Sequence, residues 1–401
     1  MGGRVYSIDS LRAIAMTMVI AQHSGLLPFG WTGVWLFYVI SGFVISRNFI
    51  EENATADLRP SAHYLSFLVR RTFRIIPPYV AYILLCMIAA LIINLPPQAR
   101  EIPYLATFTY NWRMIFSLQE QSPIFGHLWT ISVEEQFYLF FPWVILLLRR
   151  DVTIRALLAI VALGPIFRFL LAQYLSASFP SDPGRISFGV YASSLGQFDA
   201  FALGSLLAHF ESNIRKSPHI ARRMMWLAIV VGTFYAITYA CLNALAGARG
   251  IDVIRNIISG IAFGEKREVF VYIAVDLGAA AIVAGAIAGW KVFKFLEHPK
   301  LVSVGQASYS GYLLHPLTLI VIHKITPSTG IAGSIAFKLI IFCVAWICTV
   351  AVARASYTMF ERHFIRYGHL ISNRILAKSR HGQPAASTAA VVASGRSSES
   401  V

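Results

Sequence analysis

Charged residues are scarce in this sequence. They make up 13% of the 401 residues, whereas an ordinary soluble domain is about one quarter charged. Hydrophobic residues reach 57% and form repeated long runs. The net charge of +15 comes from short basic clusters between those runs, as in the cytoplasmic loops of membrane proteins. No DNA- or RNA-binding motif lies among them, so we expect no nucleic-acid partner and predict a polytopic membrane protein.

Cysteines are also few. All four lie within apolar runs and none has C-x-x-C spacing, so we expect no zinc or redox site and no bound metal. No internal repeat is visible. The first apolar segment lacks a small-residue cleavage site, which favours a retained helix over a signal peptide.

The apolar runs predict an all-α polytopic membrane protein with about ten transmembrane helices, since each span needs roughly 20 residues. Basic residues concentrate in alternate loops, which places both the N- and C-termini in the cytoplasm. We expect a membrane domain over residues 1–370 and a largely disordered cytoplasmic tail over residues 371–401. The predicted spans are 7–27, 32–50, 76–94, 132–148, 154–175, 193–210, 224–246, 269–289, 301–323 and 333–357.

The first span carries Arg12 and His23, eleven residues apart. Eleven steps of about 100° end about 20° past three full turns, so both side chains lie on one stripe, about 16.5 Å apart along the helix. Ionisable groups inside a membrane are costly and are functional candidates. The simpler alternative is that Arg12 reaches the lipid headgroups and His23 is hydrogen-bonded at the opposite interface.

A basic cluster precedes the third span. Arg70 and Arg74 share a helical face at i, i+4 spacing, where two cations repel each other unless an anion lies between them. Guanidinium groups suit phosphate, and the alternative is a positive-inside anchor, which we favour for Arg71. Pro77 and Pro78 then predict a break before the span.

Two adjacent carboxylates, Glu134 and Glu135, open the fourth span. Ser132 and Glu135 match a capping box, in which Glu135 reaches back to the first residues of the helix, but this leaves Glu134 without a structural role. The predicted topology puts this helix start and His23 in the same outer half of the membrane. A histidine oriented by a carboxylate is a plausible general base, so we predict that Glu134 or Glu135 holds the His23 imidazole.

Hydroxyl and imidazole groups in two further spans are candidates to complete a site. Ser41 with Gly42 suits close helix packing, and we favour packing over a nucleophile because no G-x-S-x-G elbow surrounds Ser41. Ser41 and Tyr309 offer donors for an oxyanion. His315 precedes Pro316 at a helix kink, where it either orients a pantetheine chain or satisfies the broken backbone.

Together these stretches resemble the membrane acyltransferase-3 family, bacterial integral membrane O-acyltransferases that modify surface polysaccharides, peptidoglycan, lipid-linked sugars and nodulation factors. The resemblance implies about ten helices, the bacterial cytoplasmic (inner) membrane as location, and essential roles for Arg12 and His23. It also implies that Arg70 and Arg74 of the basic cluster bind acyl-CoA, and that Glu134 or Glu135 takes part in the reaction. The matching stretches run from Arg12 to His23, Phe37 to Phe43, Arg70 to Pro77, Trp129 to Tyr138 and Tyr309 to Pro316.

We therefore predict an O-acyltransferase that moves an acyl group, by default acetyl, from cytosolic acyl-CoA to a hydroxyl of an extracytoplasmic or lipid-linked saccharide. Acetyl-CoA is a co-substrate, no cofactor is permanently bound, and the oligomeric state is left open. One competing hypothesis is a proton-coupled transporter of a polysaccharide-related substrate, in which the charged groups form a proton relay and inverted repeats are expected. Another is an inactive component of an export machine. The predicted catalytic residues are His23, Glu134 and Glu135, and the predicted acyl-CoA-binding residues are Arg12, Arg70, Arg74, Ser41, Tyr309 and His315.

Overall fold

Helices make up all the regular secondary structure in residues 5–55, 59–92, 99–117, 122–255, 257–258, 263–326 and 334–381, the parts of the chain that the computed structural model describes. In chain order the α-helices are α1 (Tyr6–His23), α2 (Thr32–Thr55), α3 (Pro60–Ile92), α4 (Ile102–Ala106), α5 (Tyr110–Phe116), α6 (Trp129–Leu147), α7 (Arg150–Ser178), α8 (Pro183–Ala192), α9 (Phe198–His209), α10 (Glu211–Lys216), α11 (His219–Leu245), α12 (Asp252–Arg255), α13 (Arg267–Ile287), α14 (Pro299–Gln306), α15 (Ser308–Ile325), α16 (Ile335–Ser356) and α17 (Arg362–His381).

Each of the ten predicted spans overlaps at least one of these helices. Among the described residues, six helical stretches are long and apolar enough to cross a membrane: α2, α3, α7, α11, α13, and α16 together with α17. The all-α membrane architecture is therefore confirmed, whereas the number ten and the cytoplasmic position of both termini stay predictions. The remaining predicted spans fall on α1, α6, α9 and α15.

Burial separates a central set of helices from a peripheral one. Only 17% of the most apolar stretch of α7 and of α11 is buried, compared with 67% in α2 and in α13. Apolar side chains that stay exposed on α7 and α11 are suited to lipid. The shorter or more polar helices α1, α6 and α15 have many buried side chains, so the groups that are costly in lipid are enclosed by the bundle.

Helices α2 and α9 pack with their backbones in close contact. A Cβ atom on Gly42 would collide with the carbonyl oxygen of Phe201, and one on Gly204 would collide with that of Val39. Small residues permit such contacts between membrane helices. The predicted packing role of Gly42 is therefore confirmed.

The predicted break at Pro77 and Pro78 is wrong. Helix α3 runs without interruption from residue 60 to residue 92 and includes both prolines. Helix α17 packs along its first half, where Ser66 and Ser372 are hydrogen-bonded at 2.7 Å and a Cβ atom on Gly368 would collide with Phe73. We attribute the continuity of α3 to this tertiary packing, which offsets the lost backbone hydrogen bonds.

Helix α17 also changes the expected tail. Residues 371–381, which the composition assigned to the disordered tail, belong to α17. Residues 382–401 lie outside the described residues. The boundary drawn at residue 370 therefore falls inside a helix.

The capping box at Ser132 and Glu135 is not formed. Helix α6 begins one turn earlier, at Trp129, after a short 3-10 turn over Gly126–Leu128. Ser132 is therefore inside the helix, where its hydroxyl is 3.5 Å from the Leu128 carbonyl. Both glutamates are moved away from the helix end as a result.

Candidate functional site

Two adjoining cavities lie among the central helices. The first, which we call the arginine cavity, has a volume of about 70 Å³ and is lined by Arg12, Arg71 and Arg74. The second, which we call the histidine cavity, has a volume of about 440 Å³ and is lined by His23 and His127. Helix α1 contributes to both, since Arg12 lies near its start and His23 ends it. The predicted Arg12–His23 stripe therefore connects the two cavities.

The arginine cavity brings together cations from two helices. The guanidinium group of Arg12 on α1 lies 3.1 Å from the Asp9 carboxylate. On α3, the guanidinium carbon of Arg71 lies 5.0 Å from the centre of the Tyr138 ring, and Arg74 lines the same cavity. Glu134 is the single carboxylate among the described lining residues. This excess of guanidinium groups suits an anion such as a phosphate.

Arg70 does not reach this cavity. Its guanidinium group lies 2.7 Å from the Glu52 carboxylate and donates hydrogen bonds to Ser66 and Ser372. Arg71, rather than Arg70, lines the arginine cavity together with Arg74. On an ideal helix, residues 70 and 74 are about 40° apart and residues 71 and 74 about 60° apart, so spacing alone allows both pairs. Glu52 on α2 and Ser372 on α17 bind Arg70 outside the cavity, so Arg71 is the arginine that faces inward.

Ser41 and Tyr309 line the arginine cavity rather than the histidine cavity. The Tyr138 hydroxyl donates to the Glu134 carboxylate at 2.9 Å and lies 3.2 Å from the Ser41 hydroxyl, which can donate to it. The Tyr309 hydroxyl donates to the carbonyl of Ile75 at 3.2 Å. Tyr309 is not among the residues that line the histidine cavity, so the structure gives no support to Tyr309 as an oxyanion donor beside His23.

Three imidazoles cluster at the histidine cavity. The ring centres of His23 and His315 are 4.9 Å apart, and those of His127 and His315 are 5.3 Å apart. His23 is exposed and lines the cavity, whereas His315 is fully buried. No group of metal-ligating side chains suited to a metal ion is found among the described residues.

His315 has a clear structural role. Its Nδ1 atom lies 2.6 Å from the carbonyl oxygen of Tyr312. That carbonyl would pair with residue 316 in a regular helix, but Pro316 has no N–H. Since a carbonyl can only accept, Nδ1 must carry the proton. Of the two predicted roles for His315, satisfaction of the broken backbone is therefore confirmed, and pantetheine binding stays a prediction.

His127 was not predicted as a site residue. It lies in the 3-10 turn before α6, next to the other two imidazoles. Burial, together with the neighbouring His23, lowers the pKa of His127 to about 3. The ring is therefore neutral near pH 7. The only signal for it in the sequence is its place two residues before the tryptophan that begins α6.

The glutamates do not orient His23. Glu134 lies five residues into α6, about 7.5 Å along the axis from its start, and faces the arginine cavity. The Glu135 side chain has a buried Oε1 atom with no hydrogen-bond partner among the described residues. The lining of the histidine cavity, as far as the structure describes it, includes no carboxylate. Because α6 begins at Trp129, the turn before it places His127 beside His23, and the glutamates lie further along the helix.

Thr130 and Tyr312 lie between the two cavities and line both of them. Their hydroxyl oxygens are 2.8 Å apart, and the Tyr312 hydroxyl also donates to the His127 carbonyl at 3.2 Å. Neither residue was predicted to belong to the site. Tyr312 is, however, three residues before His315, so the two share a helical face.

Comparison with known proteins agrees with the sequence motifs. The acyltransferase domain family (acyltransferase 3) matches residues 5–354. The peptidoglycan O-acetyltransferase OatA of Listeria monocytogenes is 27% identical over 331 residues, which are 78% of this chain and 49% of that protein. The O-acetyltransferase OatA of Staphylococcus aureus is 25% identical over 369 residues, 88% of this chain and 56% of that protein. The chain thus spans about half the length of these relatives, and no solved structure matches it.

Proposed function

The chain belongs to the acyltransferase-3 family, and we propose that it is a membrane O-acyltransferase that moves an acetyl group from acetyl-CoA to a hydroxyl of an extracytoplasmic or lipid-linked saccharide. The observation that carries this proposal is the contact between the two cavities. A cavity lined by three guanidinium groups adjoins one lined by the His23 and His127 imidazoles, and the hydroxyl groups of Thr130 and Tyr312 lie between them. The names of the relatives support O-acetyl transfer and a glycan acceptor.

On the donor side, we assign the phosphates of acetyl-CoA to Arg71 and Arg74, with Arg12 deeper along the route. The arginine cavity has a volume of about 70 Å³, well below the ~300–1,000 Å³ of pockets for whole small molecules. It therefore suits a narrow chain such as the pantetheine arm, and the nucleotide stays outside. With the predicted topology, the nucleotide binds on the cytoplasmic side.

On the acceptor side, His23 is the general base. It takes the proton of a sugar hydroxyl, and the resulting alkoxide attacks the thioester carbonyl carbon. The C–S bond then breaks, and the CoA thiolate takes the proton from His23 and leaves as the free thiol. The hydroxyl groups of Thr130 and Tyr312 lie between the cavities and both reach the His127 carbonyl. Either hydroxyl turns its proton from that carbonyl to the developing oxyanion and so stabilises it.

The test is release of CoA by purified protein in proteoliposomes supplied with acetyl-CoA and a glycan acceptor. His23→Ala should lower the rate by ~10²–10⁴-fold, the usual contribution of a general base. His219→Ala is a matched control, because His219 is exposed at the start of α11, and it should leave the rate unchanged. Wild-type rates in His23→Ala would rule out the base, and a protein that neither binds nor cleaves acetyl-CoA would favour the transporter alternative.

A further inference from the structure

An aromatic wall lines the histidine cavity and has no role in the acyl transfer described above. It consists of Trp31, Trp129 and Tyr191. The ring centres of Trp129 and Tyr191 are 4.7 Å apart, and those of Trp31 and Tyr191 are 5.9 Å apart. Three large rings from three separate segments therefore meet on the surface of the cavity that contains His23.

The position of Trp31 is well fixed. Its Nε1 atom donates a hydrogen bond to the Ile258 carbonyl at 2.9 Å, and its ring meets that of Trp35 edge to face at 5.0 Å. Trp31 is nevertheless only half-buried. A rigid aromatic ring that stays accessible in a cavity is a preformed contact surface, since little conformational entropy is lost when a ligand packs on it.

One polar group beside this wall also lacks a partner. The Oε1 atom of Gln22, the residue before His23, is buried and has no hydrogen-bond partner in the described part of the chain. A buried polar atom without a partner is costly, and Gln22 lines the same cavity. A ligand hydroxyl or amide donor would satisfy it.

The lining also carries no permanent charge. Among the described residues around the cavity there is no lysine, arginine, aspartate or glutamate. Burying an ionised ligand group without a partner of opposite charge is strongly unfavourable. The cavity therefore selects an uncharged ligand, and its volume of about 440 Å³ is within the range of small-molecule pockets.

We propose that this wall is the acceptor subsite and that it binds a neutral pyranose ring. The apolar C–H face of the sugar packs on Trp31, and its edge meets the Tyr191 ring, which lies at 77° to that of Trp31. A rim hydroxyl or N-acetyl N–H donates to Gln22, and another hydroxyl points at His23. This inference rests on the proposed function only in treating the sugar as the acceptor. It adds the residues that bind the sugar and the requirement that the ring be uncharged.

Saturation-transfer NMR on detergent-solubilised protein tests the subsite without any acyl transfer. The probe is N,N′-diacetylchitobiose, and glucuronic acid is the charged comparison. We expect saturation on the C–H protons of one pyranose face and none on glucuronic acid. Trp31→Leu should weaken chitobiose binding by roughly 2- to 12-fold through the lost ring contact, whereas Trp31→Phe should largely preserve it. Trp226→Leu is the control, because Trp226 is 61% exposed on α11.

CoA release, measured on the same samples, separates this subsite from the proposed function. Binding of chitobiose that depends on Trp31 supports the subsite even if acetyl-CoA is not cleaved. Three results would overturn the subsite, even if acetyl-CoA is cleaved normally. They are absence of chitobiose binding, binding by Trp31→Leu equal to that of the wild type, and uniform saturation over the sugar. Should Trp31→Leu fail to fold, the pattern of saturation on wild-type protein still decides between one bound face and nonspecific contact.

Discussion

Substitution of Arg71 is the sharpest test of the donor site, because its neighbour Arg70 provides a matched control. Both are arginines on α3, and spacing alone allows either to pair with Arg74. In the structure Arg71 lines the arginine cavity, whereas Arg70 is bound to Glu52 at 2.7 Å. We expect Arg71→Ala to weaken acetyl-CoA binding and Arg70→Ala to leave it nearly unchanged.

The size of the effect follows from the kind of contact. A hydrogen bond to a charged group contributes about 1.5–3 kcal/mol, and each 1.4 kcal/mol is a factor of ten in Kd. Loss of Arg71 should therefore raise the Kd for acetyl-CoA by roughly 10- to 150-fold. Arg71→Lys keeps the charge but not the planar fork, so we expect an intermediate value.

Calorimetric titration of acetyl-CoA into detergent-solubilised protein measures these constants directly. Repeating the titration at high salt should reduce the difference between wild type and Arg71→Ala, since the lost contact is ionic. Arg70→Ala also removes a pair with Glu52, so its melting temperature should be recorded separately from its Kd. An Arg70→Ala variant that binds acetyl-CoA as weakly as Arg71→Ala would refute the assignment of the inward-facing arginine.

Three further predictions concern catalysis and stability. Tyr312→Phe removes a hydroxyl between the cavities, so CoA release should fall by ~10²–10³-fold, as for other oxyanion donors, with the Kd for acetyl-CoA unchanged; a normal rate would exclude this role. The pKa of His127 is lowered from 6.5 to about 3, so below pH 6.5 the unfolded chain binds a proton that the folded chain does not. Stability should then be lost as pH falls from 6.5 towards 3, and His127→Gln should flatten the fall in melting temperature over this window; an unchanged slope would contradict it. Arg168 is fully buried, and its guanidinium group lies 2.7 Å from the Asp199 carboxylate. Asp199→Ala should therefore cost about 3–5 kcal/mol by leaving a buried charge unpaired, and an unaltered unfolding transition in denaturant would show that the charge finds another partner.

Much of the architecture could be read from hydrophobicity. Long apolar segments must form helices in lipid because no water is present to satisfy their backbone groups, and every predicted span does overlap a helix. The breaks were harder to predict. Local rules for proline and for capping boxes failed at Pro77 and at Ser132, since packing against α17 and an extra turn before α6 outweigh such local preferences. Gly42, by contrast, was interpreted correctly, because a backbone contact requires the absence of a side chain.

The candidate site shows the same division. Arg12 and His23 could be placed on one stripe because a helix fixes the angle between residues eleven apart, and both do line cavities. The sequence could not show whether Arg70 or Arg71 shares the cavity with Arg74, since each lies within about 60° of Arg74 around an ideal helix. His127, in the short turn before α6, and Thr130, in the first turn of α6, were missed because both acquire their neighbours only through tertiary contacts.

The class of the protein, its family, most of its helices and the ionisable groups Arg12 and His23 could be read from the amino-acid sequence. These follow from composition and from periodicity within one helix, both of which are local. The folded bundle was needed to show that Glu134 lies with the arginines, that His315 and His127 cluster with His23, and that Trp31 and Tyr191 line the same cavity. These pairings join different helices, and their rotation and depth are set by packing across the bundle, which no spacing along a single helix specifies.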